Sequence, residues 1–541
     1  MTRPERRHGE EVAIMATATI KWSSDCAFVP VILRRLIVYK DIFGCPRCRS
    51  VCVRVHIEMA VAVGDGYTLF LNADGKLFAC GRNNFGQLGV GDWASTFLVS
   101  NVDRSVLTNL HQHDVIMVSA GDTHAGCVTS CGAVWTWGSA QCGALGMAVG
   151  NIHAQCLPRA MYTPNIGLGR PEAVMVACGY AFTLVLDARG GVWSCGTGHT
   201  GQLGQGDEAN VYVLQRISAE SFGGKPIGLI AVGTWHSMAI ERDTGVLWTW
   251  GCNNQGKLGH NHFRNISLPA SIDPASFHDT AAANAADAAG IRDSYVHDTV
   301  LYVAGGSEHT MVVTVAGVLW GCGNGGQGQT GLGNRNTVPV FGRVGGEDYF
   351  GKGGVRLVSC HQNHTQIVAH DNTVWACGSE NSSALGIPTE ERRGDVLMPM
   401  RLPMACFGND DVIVVASSAS HAAAITATGQ LYTWGCRRIL RYEPLPSGLG
   451  YNDSGEIQWV PRLVHLTIPG DLRLGRWHGM HPSFMLAFVM AQHVRLGQNS
   501  VSSSFPVGPL QQMLQDIIFV PRAGTSRGVL NLMGLIAQRF Q

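Results

Sequence analysis

The chain has 541 residues, of which 68 are glycine and only 14% are Asp, Glu, Lys or Arg. Lys plus Arg equals Asp plus Glu at 39 each, so no global field draws it to DNA, RNA or an anionic membrane. No apolar run reaches the roughly 20 residues of a membrane-spanning helix, and neither a nucleic acid nor a membrane is expected as partner.

Residues 1–48 are read as an N-terminal extension. The segment MTRPERRHGEE carries an acidic pair that does not suit a signal or transit peptide, and Arg34 and Arg35 interrupt the apolar stretch that follows. Cys45, Cys48, Cys52 and His56 have a spacing that hints at zinc. Cys52 and His56, however, fall on an alternating strand marked by Val51, Val53, Val55 and Ile57. Four residues of extended chain span about 13 Å, too far for one ion, so no metal site is expected.

From residue 49 to 494 one unit repeats. Seven times an aromatic residue is followed within three positions by a glycine and then a Gly/Asn-rich turn, as in LFACGRNNFGQLG and LWTWGCNNQGKLG. The closing glycines are Gly81, Gly138, Gly196, Gly251, Gly323, Gly378 and Gly435, and subtracting neighbours gives spacings of 57, 58, 55, 72, 55 and 57. A near-constant period means one structural unit copied around or along an axis. A second element precedes each motif: an apolar residue, Gly, two variable residues, His or an aromatic, and an apolar run, as in AVGTWHSMAI. The short polar link between the two elements predicts a β-hairpin. A polar excursion and a further apolar stretch raise the unit to about four strands. The pattern predicts an all-β fold, a seven-bladed β-propeller of four-stranded blades. Copy five carries an extra residue in GQTGLG, and the 72-residue spacing holds an Ala-rich insertion, 278–298, expected as a surface loop or short helix. An eighth Gly-x-x-His element, Gly475 to His478, and the strand 51–57 are orphans at the two ends, and shared terminal strands are expected to close the ring.

The residue before each motif glycine is Cys80, Cys195, Cys322 or Cys377 in four copies and Trp137, Trp250 or Trp434 in the other three. A slot that accepts Cys or Trp is buried and apolar. One Cys per unit is badly placed for pairing, which implies a reducing compartment, cytoplasm or nucleus. His124, His236, His309, His364, His421 and His478 share one repeat position with Tyr67 and Phe182. Phe cannot ligate a metal or transfer a proton, so these rings are expected to be structural, bonded to nearby backbone. Phe78, Trp135, Trp193, Trp248, Trp320, Trp375 and Tyr432, one per copy, predict an inter-blade core. None of the glycine-rich turns reads as a phosphate-binding loop, and no cofactor is expected. Residues 495–541 form a tail in which Leu510, Met513, Leu514, Ile517 and Ile518 fall at helical spacing, an amphipathic helix that packs on the propeller or docks a partner.

These linked elements, Gly233 to Ser237 and Gly306 to Thr310 with Trp248 to Gly259, closely resemble the regulator of chromosome condensation repeat family over about four-fifths of the chain. The resemblance implies a seven-bladed propeller that binds a protein partner, and guanine-nucleotide exchange on a Ran-like small GTPase is the activity of the family's founding member. The chain has no basic tail for chromatin docking, and the Ala-rich insertion is no evident wedge. The leading expectation is therefore a monomeric, non-enzymatic interaction platform. The alternatives are an exchange factor and a ubiquitin-pathway adaptor acting through the tail helix. On a propeller the loops carry recognition. The residues between Gly and His vary from copy to copy, and Asp122, Trp235, Glu308 and Trp477 among them are the expected partner-binding residues, with no catalytic residue assigned.

Overall fold

The computed structural model describes residues 60–71, 77–101, 115–147, 153–161, 173–277, 299–346, 348–380, 384–388, 394–435, 449 and 458–464. The N-terminal extension with its cysteine spacing, the Ala-rich insertion, Trp477 and the tail helix lie outside the described residues, as do the expected domain boundaries.

Twenty-eight strands form seven four-stranded antiparallel sheets, each a meander of four consecutive strands. Blades 1 to 7 span 60–101, 115–160, 173–216, 227–271, 300–343, 355–401 and 412–463. Composition sets the order from axis to perimeter. First strands are short apolar runs that neighbour each other all the way round the axis. Second strands are buried along their whole length, as in His236–Glu241. Fourth strands are half-exposed, as in Val211–Arg216, and end the sheet. Their free edges are blunted: Val211 faces Gly196 while Gln215 faces Ser194, so extra residues bulge out of the pairing, and the same shift recurs in every blade. Pro158, Pro269, Pro399 and Pro461 sit in these bulges, where a missing N–H deters a foreign strand.

The seams between blades follow one rule. At the six seams whose turns are described, the turn after the third strand presents a carbonyl to the next blade, which donates to it through an indole N–H, a hydroxyl or, at Trp250 with Ser237, both. Trp137 Nε1 donates to Gln87 O at 2.8 Å, Trp250 Nε1 to Gln202 O at 3.0 Å and Trp434 Nε1 to Ala384 O at 2.7 Å. Where the slot holds Cys, the donor is a threonine hydroxyl at 2.7 Å: Thr183 to Ala144 O, Thr310 to Lys257 O and Thr365 to Gln329 O. Slot and donor are cross-strand partners. Ala125 and Ala422 face Trp137 and Trp434, whereas Thr183, Thr310 and Thr365 face Cys195, Cys322 and Cys377. A large indole with its own donor takes a small neighbour, and a small thiol takes a neighbour that brings the hydroxyl. Gly204 lies at φ +71°, and a Cβ there would stand 2.8 Å from the Trp250 Nε1, which is why the turn ends in glycine.

The histidines complete the seam, through side chains rather than the expected backbone. Each threonine hydroxyl spends its proton on the carbonyl, so its oxygen accepts from the preceding blade's imidazole. His124 Nε2 donates to Thr183 at 2.9 Å, His236 to Thr310 at 2.8 Å and His309 to Thr365 at 2.9 Å, and His421 Nε2 lies in hydrogen-bond contact with the Thr68 hydroxyl at 2.7 Å.

Two further expectations are corrected, and a third falls on residues that are not described. The orphan elements expected to close the ring, 51–57 and Gly475 to His478, lie outside the described residues, and no sheet of the described residues mixes the two ends. Val61, Val63, Phe70 and Phe78 of blade 1 pack in one cluster with Ile413, Ala423, Ile425 and Leu431 of blade 7. Copy five has no extra residue in its turn, since Gly331 N donates to Gly328 O as Gly89 N does to Gly86 O, and Thr330 takes the place of Leu88. Finally, the deepest aromatics are Trp137, Trp250 and Trp434, all fully buried. Of the series assigned to the core, Phe78, Trp135, Trp320 and Tyr432 are buried, but Trp193, Trp248 and Trp375 are only partly so, with their indole N–H groups on Asp187, Glu241 and Thr373. Links between blades supply a plug the repeat motifs did not reveal: Phe222 meets Trp248 and Trp250 edge-on, and Phe407 does the same to Tyr432 and Trp434.

Candidate functional site: the inner rim of the wheel

The meander places all turns between first and second strands on one face around the axis, with the turns after the third strands outside them on the same face. The inner turns are the variable residues of the Gly-x-x-His element. In blades 3 to 5 they are stitched into one strip. Tyr180 N donates to Thr234 O at 3.3 Å, Thr234 N donates to Gly306 O at 3.2 Å, and the hydroxyls of Thr234 and Ser307 lie 2.8 Å apart. The rings of Tyr180 and Trp235 pack against each other tilted by 34°, with centroids 4.7 Å apart. Such a strip is rigid before any partner arrives, which lowers the entropy cost of binding.

The expected acidic contacts are not free carboxylates. Glu308 pairs with Lys257 at 2.6 Å, and Lys257, fully buried, also donates to Ser307 O at 2.9 Å. The sequence signal for this pair is the turn KLG, where copies one and three read QLG. In those copies the glutamine turns back onto its own loop, as Gln202 does to Thr200 N. Lys257 reaches across the seam instead. Removing Glu308 leaves a buried ammonium without its counter-charge. Glu308→Ala is expected to cost about 3 kcal/mol, the lower end for a broken buried pair because Glu308 is itself partly exposed. Lys257→Met in the same background should restore most of it, as read by urea denaturation; equal stability of the Glu308→Ala protein and the parent would refute the assignment.

Asp122 is engaged across the axis. The Nε2–H of His361 in blade 6 donates to its Oδ1 at 3.3 Å, although blades 2 and 6 are not neighbours. Beside them Arg82 donates to Asp65 Oδ2 at 3.1 Å. Burial, and then the charge of Asp122, raise the Asp65 carboxyl above its usual range against the opposing pull of Arg82 and His361. His361 breaks the repeat, because Gly64, Gly121, Gly179, Gly233 and Gly306 hold its position in blades 1 to 5. The glycine is needed there for a close approach: a Cβ on Gly233 would stand 2.2 Å from His236 Cε1. Blade 6 pays in its own turn, where Gln362 sits at φ +30° and the ring of His364 is fully buried with both nitrogens unpartnered. Its Nε2 has no hydroxyl ahead because blade 7 carries Ala422 where blades 1, 3, 5 and 6 carry Thr.

The outer turns add two residues that the repeat analysis passed over. Trp93 is 50% exposed and Phe263 is 52% exposed, at loop tips where a polar residue is expected. Their signal was the aromatic itself, in a Gly/Asn/Asp turn that has no core to fill. Among the described residues, no three His, Cys, Asp or Glu side chains gather as a metal site.

The RCC1-like domain model matches residues 38–344, more than half of the chain. The chain is 28% identical over 335 residues to the Ultraviolet-B receptor UVR8 of Arabidopsis thaliana, 61% of this chain and 67% of that protein. It is 29% identical over 362 residues to the X-linked retinitis pigmentosa GTPase regulator homolog of Caenorhabditis elegans, of which it spans only 24%. Prp20p of Saccharomyces cerevisiae shares the fold with a TM-score of 0.54 at 21% identity, covering 66% of this chain and 79% of that one. The periodic motifs, the seven four-stranded blades and the family match agree: the chain belongs to the RCC1-like domain family.

Proposed function

We propose that the chain is a non-enzymatic platform that holds a protein partner against the inner rim. The observation that carries this reading is the stitched strip of blades 3 to 5, which presents the Tyr180–Trp235 ring pair between two fixed charge pairs, Asp122 with His361 and Glu308 with Lys257. Aromatic side chains held rigid at the centre of a face are where interface energy concentrates. Trp93 and Phe263 extend the same face outward. Every described cysteine is a free thiol, which supports a reducing compartment, cytoplasm or nucleus.

Trp235→Ala, or Trp93→Ala with Phe263→Ala, is expected to lower recovery of the native partner at least tenfold, since a hot-spot truncation costs about 2 kcal/mol. The urea midpoint should not move. Undiminished recovery with all three replaced would sink the reading. Charge reversal at Glu308 is unsuitable, because it sets a second cation against Lys257.

A second reading is nucleotide exchange on a Ran-like GTPase. It is favoured by the shared fold with Prp20p, a protein described with its binding to Gsp1p and histones. Release of labelled GDP from purified Ran separates the two: no acceleration leaves the platform alone.

A further inference from the structure

We infer that the Tyr180–Trp235 ring pair receives a proline-rich segment of the partner, an uncharged stretch in the polyproline II form. The inference rests on the platform reading and names the chemistry of what the strip holds.

The hydrogen bonds of the strip are one-sided. Its carbonyls are already taken: Ala181 O accepts from Thr197 N at 2.9 Å, Thr234 O from Tyr180 N at 3.3 Å, Trp235 O from Cys252 N at 3.0 Å, Gly306 O from Thr234 N at 3.2 Å and Ser307 O from Lys257 Nζ at 2.9 Å. The Thr234 and Ser307 hydroxyls, 2.8 Å apart, are engaged with each other. Two side-chain donors remain. The Trp235 Nε1–H and the Tyr180 O–H have no partner among the described residues, and neither is sealed from solvent. A ligand for this surface must therefore bring acceptors, and N–H groups of its own would find those carbonyls taken.

Proline meets that demand. It has a carbonyl and no N–H, and a polyproline II segment makes no internal hydrogen bonds, so its carbonyls stay open to a donor. The pyrrolidine ring packs on an aromatic face, and here two faces inclined by 34° stand with centroids 4.7 Å apart. A preformed extended chain and a strip already stitched between blades both reduce the entropy lost on docking. Charge disfavours the rivals. Within 179–181, 233–235 and 306–308 the only carboxylate, Glu308, is engaged by Lys257 at 2.6 Å, so neither a cationic nor an anionic segment finds a free counter-charge there.

The test uses the full-length protein with decaproline as probe. Calorimetry reads the affinity, and the indole N–H signals in NMR read the place, with Trp235 identified by the signal lost in Trp235→Phe. That signal should move saturably. The dissociation constant should rise at least about tenfold in Trp235→Ala, and about fivefold in Trp235→Phe or Tyr180→Phe, which keep a ring and lose the donor. A urea midpoint like the parent's shows that each variant is folded, and the two Phe variants decide the matter if Trp235→Ala is not. No saturable shift, or an affinity unchanged in both Phe variants, overturns the proposal. Equal binding of a Gly/Ala peptide of the same length overturns the assignment to proline. Equal binding of a decathymidylate strand overturns it too, and assigns the rings to base stacking. Loss of native-partner recovery in Trp235→Ala without any decaproline binding leaves the platform standing and removes only this inference.

Discussion

Acidification from pH 7 to pH 5 is expected to unfold the wheel. Five buried imidazoles are held neutral by desolvation: His124 is pushed down to about 4, His309, His364 and His421 to about 3, and His236 well below its ordinary 6.5. The unfolded chain therefore binds protons that the folded chain refuses. Stability is complete above about pH 6.5 and falls as the pH drops toward the folded-state values, by about 1.4 kcal/mol per histidine per pH unit. At pH 5 each costs about 2 kcal/mol and the five together about 10, comparable to the roughly 5–15 kcal/mol that holds a domain folded. A pH titration followed by tryptophan fluorescence should show a cooperative transition near pH 5. His364→Phe should move it to lower pH without loss at pH 7.5, because His364 makes no seam bond and Phe182 already fills the same position in blade 3. A wheel still folded at pH 3.5 would show that these rings accept protons in place.

Trp137→Ala should be the costliest single substitution among the seam residues. The side chain is fully buried and its removal opens a cavity worth about 3–5 kcal/mol. It also takes away the indole donor to Gln87 O, and a buried carbonyl without a partner adds about 1–3 kcal/mol. Trp250→Ala should cost less, because the Ser237 hydroxyl still donates to Gln202 O at 2.7 Å. Trp248→Ala should cost less again, since that ring is partly exposed. The seam rule makes a sharper demand. Trp137→Cys alone is strongly destabilising, whereas Ala125→Thr with Trp137→Cys rebuilds the pair used at three other seams. The second change should recover about 1–2 kcal/mol, within the range measured for contacting residues. Strictly additive effects in urea denaturation would reject the rule.

The fold was legible because its period is carried by glycine and tryptophan, residues whose backbone and volume demands survive divergence between copies. The recognition that the Cys/Trp slot is buried was also available from exchange between copies. Its hydrogen-bonding role was not, because the partner carbonyl belongs to the preceding blade and the compensating Ala or Thr lies twelve residues upstream on another strand. The candidate site was half legible. Position in the repeat pointed to Asp122, Trp235 and Glu308, but nothing local showed that Asp122 meets His361, 239 residues on, across the axis. The clue to His361 was a missing glycine, a departure that matters only once the close approach at Gly233 is known. Likewise Lys257 in place of glutamine carried its meaning only beside Glu308.

Among the described residues, blade 7 meets blade 1 through side-chain packing and the His421–Thr68 hydrogen bond. Every other seam joins modules adjacent along the polymer, while this one brings the chain near residue 68 against residue 421. Closing so long a loop costs more configurational entropy than joining neighbouring blades, so this seam is expected to form last. The same juncture is then the clasp of the necklace. A cut in any link between other blades, with the ends near residues 60 and 464 tethered instead, leaves every module beside its neighbour, so the molecule tolerates a new beginning wherever one blade hands over to the next.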